Sequence, residues 1–191
     1  MNIYLLRHGE TDWNKEGRLQ GHTDIPLNST GRRQICKAAD VLADLPEPID
    51  LILSSPLVRA YESAQIVADR LSYEKENIVV EPLLIECGFG LGEGLTVGER
   101  MDKYPDGLYP EMETYEDLIE RARSAFEKIV TIYKGQKNIL AVAHGAILSA
   151  VLIAVTNGKI AYGDKKVLLD QGSIHLIQYI DGTIKLEGKC H

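Results

Sequence analysis

The 191 residues carry 28 acidic against 21 basic side chains, a formal net charge of -7, with 45% hydrophobic and 26% charged residues. That length fits one medium domain able to bury its own core, and the composition belongs to neither a disordered nor a fibrous chain. The negative charge argues against a general nucleic-acid binder, which needs surplus Lys and Arg over one face. Cys36, Cys87 and Cys190 show no CxxC or paired spacing, so neither a disulfide framework nor a zinc site is suggested, and a reducing cytoplasm suits them best. The first residues enter a strand-like run without leader features, and no stretch approaches the roughly 20 apolar residues of a membrane helix. A soluble, cytoplasmic protein with no membrane partner is expected.

Ile3 to Leu6 is a short apolar run ending in Arg7-His8-Gly9, the pattern of a buried strand that delivers polar residues at its carboxyl end. Ser29 or Thr30 is the expected cap of a helix carrying Ile35, Ala39, Leu42 and Ala43 at helical spacing, closed by Pro46 to Pro48. Leu51 to Leu53 reads as a second buried strand, stopping at Ser54-Ser55-Pro56, where a serine cap and a first-turn proline open another helix. Its stripe runs Leu57, Ala60, Ala64, Val67, Ala68 and Leu71, which puts Arg59 in the first turns beside the strand end. Ile78 to Val80 and Leu83 to Ile85 are short apolar pieces, followed by Glu86 and a glycine-rich stretch.

From there to Glu113 no periodicity is visible, so residues 87–114 read as a variable excursion facing the substrate. Leu118, Ala122, Ala125, Phe126, Ile129 and Tyr133 mark a third helix, Ile139 to Ala143 a buried strand ending in His144-Gly145, and Ala146 to Val155 a further helix. Ser173 to Tyr179 and Thr183 to Leu186 form two strands joined by an Asp181-Gly182 hairpin turn. Strands alternating with helices imply an α/β sandwich around a mostly parallel sheet, with a possible antiparallel edge. Ligands of such sheets bind beyond the carboxyl ends of the strands, and Arg7-His8, Arg59 and His144 all fall just after predicted strand ends.

Two arginines, two histidines and one acid in that position make chemical sense around a phosphate. Arg7 and Arg59 present rigid forks that match phosphoryl oxygens and stay charged. A neutral imidazole is a competent nucleophile, and His8 beside Arg7 suits that role. His144, if protonated, can donate to the transferring oxygens. A carboxyl group must protonate the leaving oxygen and later activate water; Glu86 is the candidate, with Glu81, Glu93 and Glu99 as rivals. Taken alone, His144 reads as a structural histidine, and Arg59 as one balancing its helix through Glu62 or Ser63. Tyr104, Tyr109 and Tyr115 suit a substrate lid or, more commonly, packing beneath a loop. Cys87 reads as a buried filler before a redox-sensitive thiol. Gly9 and Gly145 are expected to permit tight turns and close backbone approach, with Gly145 among the phosphate-binding positions.

Arg7-His8-Gly9-Glu10-Thr11 with Trp13-Asn14, then Gln20-Gly21, Pro26-Leu27-Asn28, Gly31 and Gln34, resembles the opening of the histidine phosphatase superfamily, which includes the cofactor-dependent phosphoglycerate mutases. Ser54 to Ala60 is similar to its second motif, Glu86 with Phe89-Gly90 and Glu93-Gly94 to its acid motif, and Val142 to Gly145 to its last. The resemblance implies a three-layer α/β/α sandwich, a phosphohistidine at His8, and a phosphate pocket from Arg7, Arg59 and His144. It also implies that Glu86 is the proton donor, that Asn14, Gln20 and Gly21 lie near the phosphate, and that no metal or other cofactor takes part.

The resemblance is to the phosphatase branch similar to alpha-ribazole phosphatase, with two departures: many such members carry an arginine where this chain has Ile147-Leu148-Ser149, and an acidic residue and a tryptophan around the acid motif where Cys87-Gly88 and Leu91-Gly92 stand. The family's mutases are longer, and basic and aromatic residues follow their acid, unlike Glu86-Cys87-Gly88-Phe89-Gly90. The expectation is therefore a metal-independent phosphatase acting on a small phosphorylated metabolite. A phosphoglycerate mutase is the alternative enzyme, and an inactive phosphate-binding regulatory module is the alternative of another class. The sequence sets no oligomeric state.

Overall fold

The computed structural model describes residues 1–156, 160 and 169–190, with the side chains of 188–190, including the Cys190 thiol, outside the described part. The elements run β1 (Asn2–Arg7), α1 (Asp12–Lys15), α2 (Ser29–Ala43), β2 (Leu51–Ser54), α3 (Val58–Leu71), β3 (Val79–Val80), α4 (Val97–Lys103), α5 (Tyr115–Ile132), β4 (Asn138–Ala143), α6 (Gly145–Val155), β5 (Ile174–Ile180) and β6 (Thr183–Cys190). One six-stranded sheet has the order β3-β2-β4-β1-β5-β6. The four strands from β3 to β1 are mutually parallel, whereas β5 and β6 join antiparallel.

Alternation along β1 shows how the layers form. Ile3 and Leu5 enter a core shared with α5 and α6, while Tyr4 and Leu6 enter a second core shared with α2 and α3. A parallel strand covered on both faces has no solvent side, so its residues read as an unbroken apolar run. The same holds for β4, all six of whose residues are buried, and for α6, apolar all round and buried from Ala146 to Ala154. The result is the three-layer α/β/α sandwich expected. Truncating a side chain such as Leu5, 1% exposed, removes about 2–5 kcal/mol.

Several local expectations shift. Helix α2 is capped by Asn28, whose side-chain oxygen accepts from the Gly31 N–H, because Ser29 already lies inside the helix. Helix α3 opens at Val58 rather than at the serines. Ser55 Oγ accepts the Leu57 N–H, and Asp24 from another loop accepts the Val58 N–H at 2.7 Å. Of the two short apolar pieces, the first gives the short strand β3 and the second a single 3-10 turn over Pro82–Leu84. The excursion after Glu86 contains α4, opened by a capping box between Thr96 and Glu99. Asp181 and Gly182, at φ 48° and 80°, make the hairpin turn between β5 and β6.

Candidate active site

Strand register brings the polar residues together. Arg7 at the end of β1 pairs with Ala143 at the end of β4, and Ser54 at the end of β2 with Val142. The next residues therefore emerge side by side: the His8 N–H donates to Ala143 O at 2.9 Å and the Ser55 N–H to Val142 O at 3.0 Å. The rings of His8 and His144 stand 5.1 Å apart, nearly edge to face. Arg59 follows within the first turn of α3. Arg7, His8, Arg59, Glu86, Asn14, Gln20, Gly21 and Gly145 line one cavity of about 250 Å3, and His144, beside His8 and fully buried, is not among its lining residues.

Hydrogen bonding sets the His8 tautomer. His8 Nδ1 lies 2.7 Å from the carbonyl oxygen of Gly9. A carbonyl only accepts, so Nδ1 carries the proton and Nε2 keeps its lone pair. Burial, then the charges of Arg59 and Arg7, pushes His8 well below the ordinary histidine range, and the Gly9 carbonyl opposes this only in part. The imidazole is neutral at pH 7. His144 Nε2 is 2.7 Å from Ser55 Oγ, whose oxygen accepts the Leu57 N–H. The Ser55 hydroxyl can give to or take from Nε2 at this contact, and His144 Nδ1 is buried without a partner. His144 is also pushed well down, first by burial and then by Arg59. Burial and the two guanidiniums thus disfavour the charged form of His144, on which its role as a protonated donor depends.

Arg59 is 1% exposed and donates to Thr23 O at 3.0 Å and Gly21 O at 2.8 Å, with its Nε unpartnered. Burial lowers it from the ordinary guanidinium value, opposed by Glu86, Asp24 and Glu93. Glu62 pairs instead with Arg32 and Ser63 donates to the Arg59 carbonyl, so the helix-balancing reading of Arg59 does not hold. Arg7 Nη1 donates to Leu169 O, and Gly145 packs against the Arg7 guanidinium, where a Cβ would lie 3.3 Å from Cζ. Gln20 Oε1 accepts the Thr11 hydroxyl at 2.8 Å and Asn14 closes the capping box of α1. Gly21, at φ 56°, passes so close to Glu93 that a Cβ would lie 1.9 Å from its Oε1.

Among the described residues Glu86 is the one carboxylate lining this cavity. It lies in irregular chain, and its side chain accepts the N–H groups of Cys87 at 2.9 Å, Ala146 at 3.3 Å and Ile147 at 3.1 Å. It thus occupies the amino-terminal end of α6, where orphan N–H groups attract an anion. The rivals are spent elsewhere. Glu81 pairs with Lys128 at 2.7 Å, and Glu99 caps α4. Glu93 accepts from His22 N, Thr23 N, Thr23 Oγ1 and Phe89 N, tying residues 20–24 to the wall that carries Glu86. Burial would raise the Glu93 carboxyl, but the Thr23 hydroxyl and these N–H groups outweigh it and hold it below its usual range.

Phe89 stacks edge to face on Tyr109 and Tyr109 on Tyr104, so two of the three tyrosines pack beneath the loop, and Tyr115 is 48% exposed. Cys87 is buried and its thiol is pushed up to about 12, chiefly by burial. Sequence reasoning missed Arg18, Leu19, Ala146, Ser149 and Leu169 on the cavity wall and Ser55 behind His144; only Ser55 carried a signal, as part of the serine pair after β2. Among the described residues no three His, Cys, Asp or Glu side chains converge as a metal-ligand set, and no helix is long and apolar enough to cross a membrane.

Comparison with known proteins gives the family and the fold. An uncharacterized phosphatase of Bacillus subtilis (strain 168), PhoE, is 40% identical over 156 residues, covering 82% of this chain and 78% of that protein. A probable phosphoglycerate mutase GpmB of Enterobacter sp. (strain 638) is 31% identical over 190 residues, covering 94% and 85%. A solved mycobacterial glucosyl-3-phosphoglycerate phosphatase superposes with a TM-score of 0.86 at 25% identity, covering 99% of this chain and 98% of that one. The family model of the histidine phosphatase superfamily (branch 1) matches residues 3–189, and the chain belongs to that superfamily.

Proposed function

We propose that the protein hydrolyses small phosphomonoesters through a phosphohistidine at His8, without a metal. The observation that carries this is the His8 ring, with Nδ1 committed to Gly9 O, in a cavity flanked by two guanidiniums. In the first step Nε2 attacks phosphorus, the bond to the ester oxygen breaks, and Glu86 delivers a proton to the leaving alkoxide. Arg7 and Arg59 neutralise the charge on the equatorial oxygens, and His144, in the tautomer that carries its proton on the unpartnered Nδ1, is the further donor beside His8. In the second step water attacks the phosphoramidate, Glu86 takes its proton, and Nε2 leaves as the neutral ring. Asn14, Gln20, Gly21 and Gly145 shape the phosphate end, and residues 87–114 face the rest of the substrate. A cavity of about 250 Å3 suits a small metabolite, and the compartment fitting the free thiols of Cys36 and Cys87 is the cytoplasm.

Hydrolysis is preferred over isomerisation because, beyond Arg7 and Arg59, the only cationic side chain lining the cavity among the described residues is Arg18, already paired with Glu16 at 2.6 Å. A mutase must hold a second anionic group as well. The GpmB likeness keeps isomerisation as the second reading. The test is 4-nitrophenyl phosphate with and without chelator, followed by acid-free trapping and 31P detection of phosphohistidine. Phosphate release indifferent to chelator, with label on His8, supports the proposal. Rapid interconversion of phosphoglycerates primed by 2,3-bisphosphoglycerate without phosphate release would replace it with the mutase, and no turnover over a broad panel would leave a binding module.

A further inference from the structure

Glu86 must present its carboxyl to the leaving oxygen, yet no regular element holds it. Its outer support comes from α5. Arg121, in the second turn of that helix and 16% exposed, sends its whole guanidinium into the segment around Glu86. Nη1 donates to Leu83 O at 2.8 Å and Ile85 O at 2.7 Å, and Nη2 to Glu86 O at 3.3 Å. Nε and the second Nη2 proton reach Glu113 Oε1 at 2.8 Å and Oε2 at 2.7 Å. All five N–H donors of one arginine are used, three of them on carbonyls within three residues of the acid. Glu113 in turn donates its own N–H to Gly88 O at 2.7 Å, and His22 Nε2 meets Glu86 O at 2.9 Å. The carbonyls of 83, 85, 86 and 88 are therefore fixed from outside, while the Glu86 carboxylate is fixed from inside by the start of α6.

We propose that the Arg121–Glu113 pair is a positioning device that aims Glu86 for proton transfer. That role rests on the acid and base function proposed above for Glu86. Lysine is a point charge that cannot span two carboxylate oxygens and three carbonyls at once, so Arg121→Lys keeps the charge and loses the aim. A shift of about 1 Å in a catalytic group costs on the order of 10²-fold in rate.

The experiment compares kcat/KM, which reports the first phosphoryl transfer, for 4-nitrophenyl phosphate and phenyl phosphate. The nitrophenolate leaves without much help, whereas phenolate needs the proton. Arg121→Lys is expected to lower phenyl phosphate hydrolysis on the order of 10²-fold and 4-nitrophenyl phosphate hydrolysis less than about tenfold. Glu86→Gln is expected to show the same selectivity, and the double variant to lose little more than Glu86→Gln alone. An equal loss on both substrates, or none, in Arg121→Lys while Glu86→Gln discriminates would overturn the positioning role and leave the acid standing. A Glu86→Gln that does not discriminate would bring down the acid assignment and this inference with it. Should Arg121→Lys fail to fold, Glu113→Gln replaces it in the same two-substrate comparison, because it weakens the fork's anchor while leaving the carbonyl contacts in place; selectivity against phenyl phosphate supports the positioning role, and its absence overturns it.

Discussion

The floor of the cavity and the wall that carries Glu86 are built in opposite ways. His8, Ser55 and His144 are the first residues beyond three adjacent parallel strands, so backbone ladders place them and burial holds them. Glu86 hangs on hydrogen bonds arriving from α6, from Arg121 on α5 and from His22 in the first loop. A floor made of strand ends is rigid by topology. A wall made of side-chain bonds holds its place only through those bonds, and in the proposed reaction it is the part that meets the leaving group.

The contrast breaks first at the floor. Replacing His8 by alanine removes the nucleophile and is expected to cost on the order of 10⁴-fold or more in kcat, with no phosphoenzyme on trapping. A variant retaining both would end the reading. Arg59→Lys keeps the charge but cannot hold Gly21 O and Thr23 O together with a phosphoryl group. A loss on the order of 10²–10³-fold is expected in steady-state assays, with a lower melting temperature because residues 21–23 lose their tie.

Glu86→Gln sharpens the contrast, with an expected loss on the order of 10²-fold concentrated on esters with poor leaving groups. Glutamine keeps one acceptor oxygen, enough for the Cys87 and Ile147 N–H groups but not for that of Ala146, so its unfolding free energy should fall by about 1 kcal/mol, the contribution of one hydrogen bond; a much larger fall would recast Glu86 as a structural cap.

Stability should respond to pH through the floor. His8 and His144 are held well below 6.5 in the folded protein, whereas the unfolded chain titrates near that value, so below it the unfolded state binds more protons. Stability is therefore full above about pH 7 and falls as pH drops below 6.5, by up to about 1.4 kcal/mol per unit for each ring. Denaturant unfolding at pH 7 and 5.5 should show the slope, and His8→Asn should flatten it. A slope unchanged in His8→Asn would mean that this ring charges in the folded state. The smallest effect is expected at Cys87. With its thiol raised to about 12, peroxide should leave activity unchanged, and a maleimide should label exposed Cys36 while sparing Cys87; reversible inactivation traced to Cys87 would contradict this.

Much of the floor was legible in the chain because apolar runs that end in charged residues announce strand ends, as at Leu6-Arg7-His8 and Ala143-His144. The caps were less legible. Serines before α3 promised a local start, but Asp24, 34 residues away in sequence, supplies the acceptor. Helix α4 did carry a Thr96–Glu99 box, yet its Val97 and Met101 are exposed, so no apolar stripe announced it.

What the sequence determined by itself, then, was the chemistry available: an imidazole, two guanidiniums and an acid, spaced so that an α/β sheet must gather the first three at one edge. Only the tertiary structure decided which nitrogen of His8 is free, that His144 is buried beside two guanidiniums, and which of four glutamates faces the cavity. Those depend on carbonyls, hydroxyls and N–H groups from distant segments, and on burial beside fixed charges, neither of which is written in local spacing.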